Sequence, residues 1–263
     1  MRENECAMTN LVEGREKLTT RSARTEQEQS PVEMVRAQAK RMKDLFKEHQ
    51  IRIPELGATI GKSIVYELCV LHILSDLPRN LVMGEVEKIH AFYEELFGDT
   101  SDYEAVRKGF MAEFAVAYAF SEQIGYPVYL PTPEEDTHAK IDLIVDLEDG
   151  EPPLAIQIKS LNLQFDPNQI IYELTDADFK ELGAEINNTA LLEKMQSDAQ
   201  AMEAYCSKNN LRPLMLVVPS AQSDSPLYND RTGLPVQQTS NGEETMLANR
   251  IYNELEEKEL ITW

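Results

Sequence analysis

The spacing of apolar positions divides the chain into a helical first part and a second part in which helices alternate with strands. Residues 1–30 are polar, with few large apolar side chains, which favours a flexible arm. Apolar residues then recur at helical spacing over 31–50, 61–75 and 84–97. In the first of these segments Val35, Met42 and Phe46 form one stripe, and Pro31 suits a first helical turn. We therefore expect a helical N-terminal region over residues 31–100.

After residue 101 the pattern changes. Positions 103–124 predict a strongly amphipathic helix that ends at Gly125. Short apolar runs at 128–130, 141–147 and 154–161 predict three strands, and the last two are joined by a Gly- and Pro-containing hairpin segment. Helical spacing returns at 191–209, and 214–218 predicts a buried strand. This order predicts an α/β core with a mixed sheet over residues 101–225, followed over 226–263 by a loop and an acidic helix at 243–260.

Composition is ordinary for a globular protein, but the charge is not. The 263 residues are 42% hydrophobic and 27% charged, which excludes a wholly disordered chain and a disulfide scaffold. The formal net charge of −21 argues against broad contact with a partner covered in phosphates. Residues 1–50, however, carry 10 basic and 9 acidic side chains, so the acidic excess lies in the rest of the chain. Any contact with nucleic acid is therefore expected to be local and near the N-terminal end.

Basic side chains on the first predicted helix are the candidates for that contact. Arg36, Lys40, Lys43 and Lys47 are spaced at i, i+4, i+7 and i+11, which places them on one stripe, and Arg41 adds a fifth charge. One interpretation is that these five residues bind the phosphate backbone of DNA. The other is a solvated face that balances the acidic body of the chain.

Cysteine usage and hydropathy favour a cytoplasmic protein. The three cysteines are Cys6, Cys69 and Cys206, an odd number with no metal-binding spacing, so we expect reduced thiols. The first residues lack the apolar region of a secretory signal. The longest apolar stretch, residues 64–74, is too short and too often interrupted by polar side chains to span a bilayer. We therefore expect no membrane partner.

Candidate chemistry lies in the predicted α/β core. Glu113 is in the middle of the amphipathic helix, Asp142 is early in the second strand, and Gln157 and Lys159 project from one face of the third strand. A carboxylate, an amide oxygen and the backbone carbonyl of Ile158 would form a hard oxygen site suited to Mg²⁺. Hydrolysis of a phosphodiester uses such a metal to activate water and neutralise charge, and a nearby lysine stabilises the transition state. The neighbouring Asp136 and His138 are interpreted as solvated loop residues.

The order of these residues resembles the PD-(D/E)xK nuclease superfamily, most closely the Mrr-like restriction endonucleases and the archaeal Holliday-junction resolvases. The resemblance covers about residues 103–220. It implies a restriction-endonuclease-like αβββαβ core, dependence on Mg²⁺ with Mn²⁺ as a substitute, and cleavage of DNA. It also implies that Asp142 and Gln157 bind metal, that Lys159 is catalytic and that Glu113 assists from the helix.

Two departures from the superfamily pattern leave an alternative open. Gln157 stands where an acidic residue is usual, and Ile141 precedes Asp142 where proline is common. The first interpretation is an endonuclease of restriction and defence, or of recombination and repair, which acts as a homodimer because a duplex cut needs two active sites. The alternative is a catalytically inactive protein that keeps the nuclease fold as a binding or structural component. Binding of a divalent metal through Asp142 distinguishes the two.

Overall fold

Seven α-helices and six strands are present in the computed structural model, which describes residues 17–18, 30–49, 54–98, 100–147, 150–163, 167, 169–186, 188–220, 223, 226–236 and 246–261. The helices are α1 (Pro31–His49), α2 (Pro54–Cys69), α3 (Arg79–Phe97), α4 (Thr100–Tyr118), α5 (Asp176–Glu185), α6 (Thr189–Asn209) and α7 (Met246–Glu257). Segments of π-helix extend α2 (Val70–Leu74) and α4 (Ala119–Ile124), and a third stands alone (Glu135–Ala139). The strands are β1 (Lys17–Leu18), β2 (Val128–Tyr129), β3 (Leu143–Val145), β4 (Leu154–Leu161), β5 (Ile171–Tyr172) and β6 (Arg212–Pro219).

The strands form one mixed sheet in the order β1-β2-β3-β4-β6-β5. The long strands β4 and β6 run parallel through eight residue pairs, and every other neighbouring pair is antiparallel. A parallel pair needs a crossover, which here contains β5, α5 and α6. The α/β class with a mixed sheet is thus confirmed, and α4, β2, β3, β4, α6 and β6 occur in the predicted order.

Alternating side chains of β4 and its neighbours separate two apolar cores. Leu154, Ile156 and Ile158 belong to the larger core, which also contains the buried side chains of the N-terminal helices and of α4. Ala155 belongs to the smaller core, together with the buried face of α6. Because successive residues of a strand point to opposite faces, Gln157 and Lys159 project to the α6 side of the sheet. Helices therefore cover both faces, and the N-terminal helical region shares a core with the sheet.

Several boundaries differ from the sequence prediction. The strand at 154–161 has its predicted bounds, whereas the strand predicted at 141–147 is shortened to β3. The short strands β1 and β5 and the helix α5 were not predicted. The start of α5 carries a capping box, in which Thr175 and Asp178 satisfy each other's backbone N–H groups, so a local signal was present. Most of the predicted arm, and the beginning of the predicted last helix at 243–245, lie outside the described residues.

Helix α2 lies unusually close to α4. A Cβ added to Gly61 would lie 2.5 Å from Cε1 of Phe110, so only glycine permits this approach. In the part of the chain that the structure describes, one helical segment, Gly57–Leu74, is long and apolar enough to cross a membrane, and 72% of it is buried inside the protein. Such burial is compatible with a core helix of a soluble protein. The close packing brings α2 to the functional residues of α4.

Candidate metal centre

An ammonium group lies at the point where the acidic side chains of three elements converge. Nζ of Lys62, from α2, is 3.1 Å from Oε2 of Glu113 on α4 and 3.2 Å from Oδ2 of Asp136 in the isolated π-helical segment. It also donates a hydrogen bond of 2.9 Å to the backbone carbonyl of Asp142 and lies 3.9 Å from its Oδ1. The Lys62 side chain is only 8% exposed. We call Lys62, Glu113, Asp136 and Asp142 the Lys62 cluster.

Asp142 is tied to the sheet by its side chain. Its Oδ2 accepts a hydrogen bond of 2.7 Å from the backbone N–H of Ile158, and its own N–H donates to the carbonyl of Ile156. These two contacts, to Ile156 and Ile158 of β4, hold Asp142 in place just before the start of β3. The expected neighbourhood of Asp142 and the Gln157-Ile158-Lys159 triplet is therefore present, but through the backbone of Ile158. The carbonyl of Ile158 was the predicted metal ligand, but the group of Ile158 that contacts the Asp142 carboxylate is its N–H.

Lys159 and Gln157 have different surroundings from Glu113. The Lys159 ammonium lies 3.0 Å from Oδ2 of Asp198 on α6, outside the Lys62 cluster. It still acts electrostatically on Asp142, whose pKa it lowers as one of several contributions. Gln157 is 2% exposed, and among the described residues its Oε1 has no hydrogen-bond partner. The structure thus brings Glu113 and Asp142 together at the Lys62 ammonium and leaves Gln157 and Lys159 on the α6 side of β4.

Burial and mutual repulsion dominate the electrostatics of the Lys62 cluster. Burial raises the pKa of Glu113, Lys62 opposes this effect, and the other carboxylates add to it. Burial likewise raises the pKa of Asp142 against the effect of Lys62. For Lys62 burial lowers the pKa, but the carboxylates of Glu113, Asp142 and Asp136 outweigh burial and hold the pKa above its ordinary value. The ammonium is therefore charged, and three carboxyl groups compete for it.

A cavity of about 220 Å³ adjoins the Lys62 cluster between α1, α2 and the segment before the isolated π-helix. Its wall includes Lys62 itself, Arg41 of α1 and the polar side chains of Gln38 and Ser63. The remaining lining residues are Met42, Thr59, Leu130, Pro131, Thr132 and Pro133. The cavity therefore connects the basic helix α1 to the acidic cluster.

A second buried polar group lies one turn further along α2. Glu67 accepts hydrogen bonds from the Tyr93 hydroxyl at 3.0 Å and from Ser63 at 3.4 Å, and Gln38 donates to Ser63 at 2.8 Å. Burial raises the pKa of Glu67 to about 8, although both hydroxyl contacts oppose it. Within the described residues Oε2 of Glu67 is without a partner. At neutral pH this carboxyl group is therefore mostly protonated.

The basic residues of α1 are on its exposed side. Arg36, Lys40, Arg41 and Lys47 are exposed, and Lys43 is half-buried with its ammonium 3.9 Å from Glu95. The opposite side packs into the core through Val35 and Met42, as predicted, while Phe46 is only partly buried. The amphipathic helix is confirmed, and contact with DNA remains a prediction.

Two members of the cluster were not among the predicted site residues. Asp136 was interpreted as a solvated loop residue, but its carboxylate forms an ion pair with Lys62 and its side chain is 23% exposed. Lys62 was not singled out, although a lysine within the apolar run of α2 is a signal, because lysine is rarely buried without a partner. The neighbouring His138 is exposed. Lys62 is far from Glu113 and Asp136 along the sequence, so no local pattern predicts these contacts.

As they stand, no three His, Cys, Asp or Glu side chains of the described ranges are arranged to hold a metal ion. The point of convergence of the three carboxylates contains the Lys62 ammonium instead. Comparisons with family models, with curated proteins and with solved structures found no match to this chain.

Proposed function

We propose that this chain is a Mg²⁺-dependent DNA endonuclease of the cytoplasm, with its active site at the Lys62 cluster. The observation that carries the proposal is the convergence of Glu113 from a helix and Asp142 from a strand end on one cation position. The order of elements around the sheet, and the Gln157-Ile158-Lys159 triplet beside Asp142, support the same conclusion. The cysteines Cys69 and Cys206 are free and buried, in keeping with a reducing compartment.

The donor set of the cluster fits a divalent cation. Carboxylate oxygens and the carbonyl of Asp142 are hard ligands of the kind that Mg²⁺ and Mn²⁺ prefer. Three carboxyl groups face one ammonium, so the cluster holds more acidic than basic groups. The Lys62 ammonium marks the position where the cluster attracts positive charge. Glu113, Asp136 and Asp142 are therefore the residues that would hold the metal.

When bound, a divalent cation would supply charge neutralisation at the phosphate and activation of the attacking water. The residues of the chain orient the parts of the site. The Ile158 N–H fixes the rotation of the Asp142 carboxylate, and Asp198 holds the Lys159 ammonium next to β4. A lysine held in this way is placed to stabilise negative charge that develops on a phosphate. Gln157 adds a buried amide oxygen with no partner among the described residues.

Binding of DNA by so acidic a chain needs a local basic surface. Helix α1 presents exposed Arg36, Lys40 and Lys47, and Arg41 reaches the cavity that Lys62 also lines. Phosphates bound along α1 would therefore pass close to the Lys62 cluster. A cut through both strands requires two such sites, for which we propose a homodimer. Restriction and defence, or the processing of recombination intermediates, are the pathways that this chemistry serves.

Incubation with plasmid, branched and single-stranded DNA, with and without Mg²⁺ or Mn²⁺, tests the proposal. We expect metal-dependent cleavage by the wild type and loss of cleavage in Asp142→Asn. The matched control is Asp146→Asn, which changes the same residue type at the other end of β3. If Asp142→Asn cuts as fast as Asp146→Asn, the proposed active site is wrong.

The Lys62 ion pairs favour one second candidate, a nuclease fold that acts only as a binding component. In that case Lys62 neutralises the cluster permanently and no metal binds. Calorimetric titration with Mn²⁺ separates the two, because the endonuclease requires a metal that binds through Asp142. An absence of Mn²⁺ binding together with retained DNA binding would favour the second candidate.

A further inference from the structure

Lys62 is the one basic side chain of the described residues whose ammonium contacts both Glu113 and Asp142, and it comes from the helical region outside the α/β core. The close packing of Gly61 against Phe110 holds its helix against α4. Phe110 lies one helical turn before Glu113, so the same packing sets Lys62 opposite that carboxylate. The position of the ammonium is therefore fixed by the packing of α2 on α4.

Three oxygen atoms lie close to the ammonium nitrogen, two of them as hydrogen-bond acceptors and one as an ion-pair partner. They are Oε2 of Glu113, Oδ2 of Asp136 and the backbone carbonyl of Asp142, at 3.1, 3.2 and 2.9 Å. These oxygens are the same ones that a divalent cation would need. A Mg²⁺ ion binds its oxygens at about 2.1 Å, so the ammonium and the cation cannot share them at one time.

The cavity beside the cluster gives the side chain room to leave. Lys62 lines a space of about 220 Å³ together with Gln38, Thr59 and Ser63, whose side chains carry polar atoms. A lysine side chain has four rotatable bonds and is able to place its ammonium there without movement of the backbone. The wall thus offers polar contacts to a displaced ammonium.

We infer that Lys62 is an internal counter-ion that competes with the divalent cation for Glu113, Asp136 and Asp142, and moves into the adjoining cavity when the cation binds. The inference rests on the proposed metal site. It makes Lys62 a positioning residue, which keeps the carboxylates close together before the metal arrives. It also sets the metal affinity, since the cation must replace one positive charge.

Titration with Mn²⁺, followed by calorimetry, tests the competition in wild type, Lys62→Met and the control Lys88→Met. Methionine keeps the length of the stem and removes the charge. We expect Lys62→Met to bind Mn²⁺ at least about tenfold more tightly, because a positive charge about 3 Å from the ligand oxygens is removed. Lys88→Met should change the affinity by no more than about threefold, since Lys88 is exposed and its partner is Glu85 outside the cluster.

The outcomes separate this inference from the proposed function. Unchanged or weaker Mn²⁺ binding by Lys62→Met, with a wild type that binds Mn²⁺ and cuts DNA, overturns the competition alone. Binding by Lys62→Met but not by the wild type supports the competition and contradicts the endonuclease. If neither protein binds Mn²⁺, both are wrong.

Labelling of the wild type provides a test that does not depend on the folding of a variant. Lysines are modified with an amine-reactive reagent, with and without saturating Mn²⁺, and the labelled positions are identified by mass spectrometry. We expect the labelling of Lys62 to rise at least about threefold with Mn²⁺, because its ammonium exchanges buried ion pairs for a cavity that opens to solvent. Labelling of Lys159 should stay the same. Equal labelling of Lys62 in the two conditions contradicts its displacement.

Discussion

The carboxylate of Asp142 and the backbone N–H of Ile158 are joined by a hydrogen bond of 2.7 Å between two neighbouring strands. The donor lies between Gln157 and Lys159, whose side chains project to the α6 side of the sheet, whereas Glu113 on α4 shares the Lys62 ammonium with Asp142. Asp142 therefore links the two parts of the proposed site, the Lys62 cluster and the Gln157-Ile158-Lys159 triplet. Its second oxygen remains directed toward Lys62, at 3.9 Å.

Replacement of Lys159 separates its proposed chemical role from DNA binding. We expect Lys159→Ala to lower the rate of DNA cleavage at least about 100-fold, the scale of losing one electrostatic stabiliser. DNA affinity should stay within a factor of two or so, because one of many phosphate contacts at most is lost. Single-turnover cleavage and filter binding measure the two effects. Lys180→Ala, on the exposed side of α5, is the control; if both variants cut equally fast, Lys159 has no role in the reaction.

Replacement of Gln157 should affect the stability of the protein and its rate of DNA cleavage in different directions. A buried acceptor without a partner costs about 1–3 kcal/mol, so Gln157→Met should unfold at the same or a higher urea concentration. If the amide belongs to the site, cleavage should nevertheless fall about tenfold or more, which corresponds to about 1.4 kcal/mol of transition-state stabilisation. Urea unfolding and cleavage assays on the same preparation give both values.

Gln157→Glu complements that variant by restoring the usual acidic residue. We expect it to raise the affinity for Mn²⁺, because it adds a negative charge near the cation position. Superimposable Mn²⁺ titrations, together with full activity of Gln157→Met, would remove Gln157 from the site.

Glu67 predicts a specific dependence of stability on pH. Its pKa is about 8 in the folded protein and close to 4.5 when unfolded, so between these values the folded state retains a proton that the unfolded state has lost. The contribution of Glu67 therefore lowers the free energy of unfolding as pH rises, by at most about 1.4 kcal/mol per pH unit. Glutamine does not titrate, so in Glu67→Gln this decrease of the unfolding free energy with pH is absent. The difference in unfolding free energy, variant minus wild type, should increase from pH 5 to pH 8.

The control for Glu67 is an exposed carboxylate. Glu87 is paired with Arg231, whose hydrogen bond lowers the pKa of Glu87. Because its pKa in the folded protein lies below the ordinary value of 4.5, the stability difference for Glu87→Gln should change much less between pH 5 and pH 8 than that for Glu67→Gln. Urea unfolding at pH 5, 6.5 and 8 provides the measurement. Parallel pH profiles for the two variants would show that Glu67 is ionised in the folded protein.

Two glycines of α2 test how closely that helix approaches α4. A Cβ at Gly61 would overlap the ring of Phe110, so Gly61→Ala should lower the free energy of unfolding by about 1–3 kcal/mol. Gly57, in the same helix, has no atom within 4 Å of an added Cβ, and Gly57→Ala should raise the free energy by up to about 1 kcal/mol through helix propensity. Urea unfolding compares the pair; an equal effect of both substitutions would contradict the close contact.

The basic side of α1 predicts the salt dependence of DNA binding. Each phosphate contact contributes about 0.9 to the slope of log affinity against log salt. Replacement of Arg36, Lys40, Lys43 and Lys47 by alanine should therefore lower the slope by up to about 3.6 and weaken binding to all sequences alike. Mn²⁺ binding should be unaffected. The control replaces three exposed lysines of α5 and α6, Lys180, Lys194 and Lys208; an equal change of slope in both variants would assign no special role to α1.

Local patterns were sufficient to predict the α/β class and most of its long elements. The run at 154–161 predicted the bounds of β4, because apolar side chains recur at every second position from Leu154 to Ile158. The stripe through Val35 and Met42 likewise identified the buried side of α1. Short elements escaped prediction. The two residues of β5 have no periodicity of their own, and they are strand only because they pair with β6.

The sequence by itself also placed Glu113 and Asp142 on a helix and a strand of the same unit, and their proximity is present in the fold. Tertiary structure alone decided which cation they meet. Lys62 and Asp136 are separated by 74 positions along the chain, and they come together only because the fold packs α2 against the isolated π-helical segment. Tertiary structure also turned Lys159 toward Asp198. Strand alternation fixes that its side chain shares a face with Gln157, but only the packing of α6 determines what lies on that face.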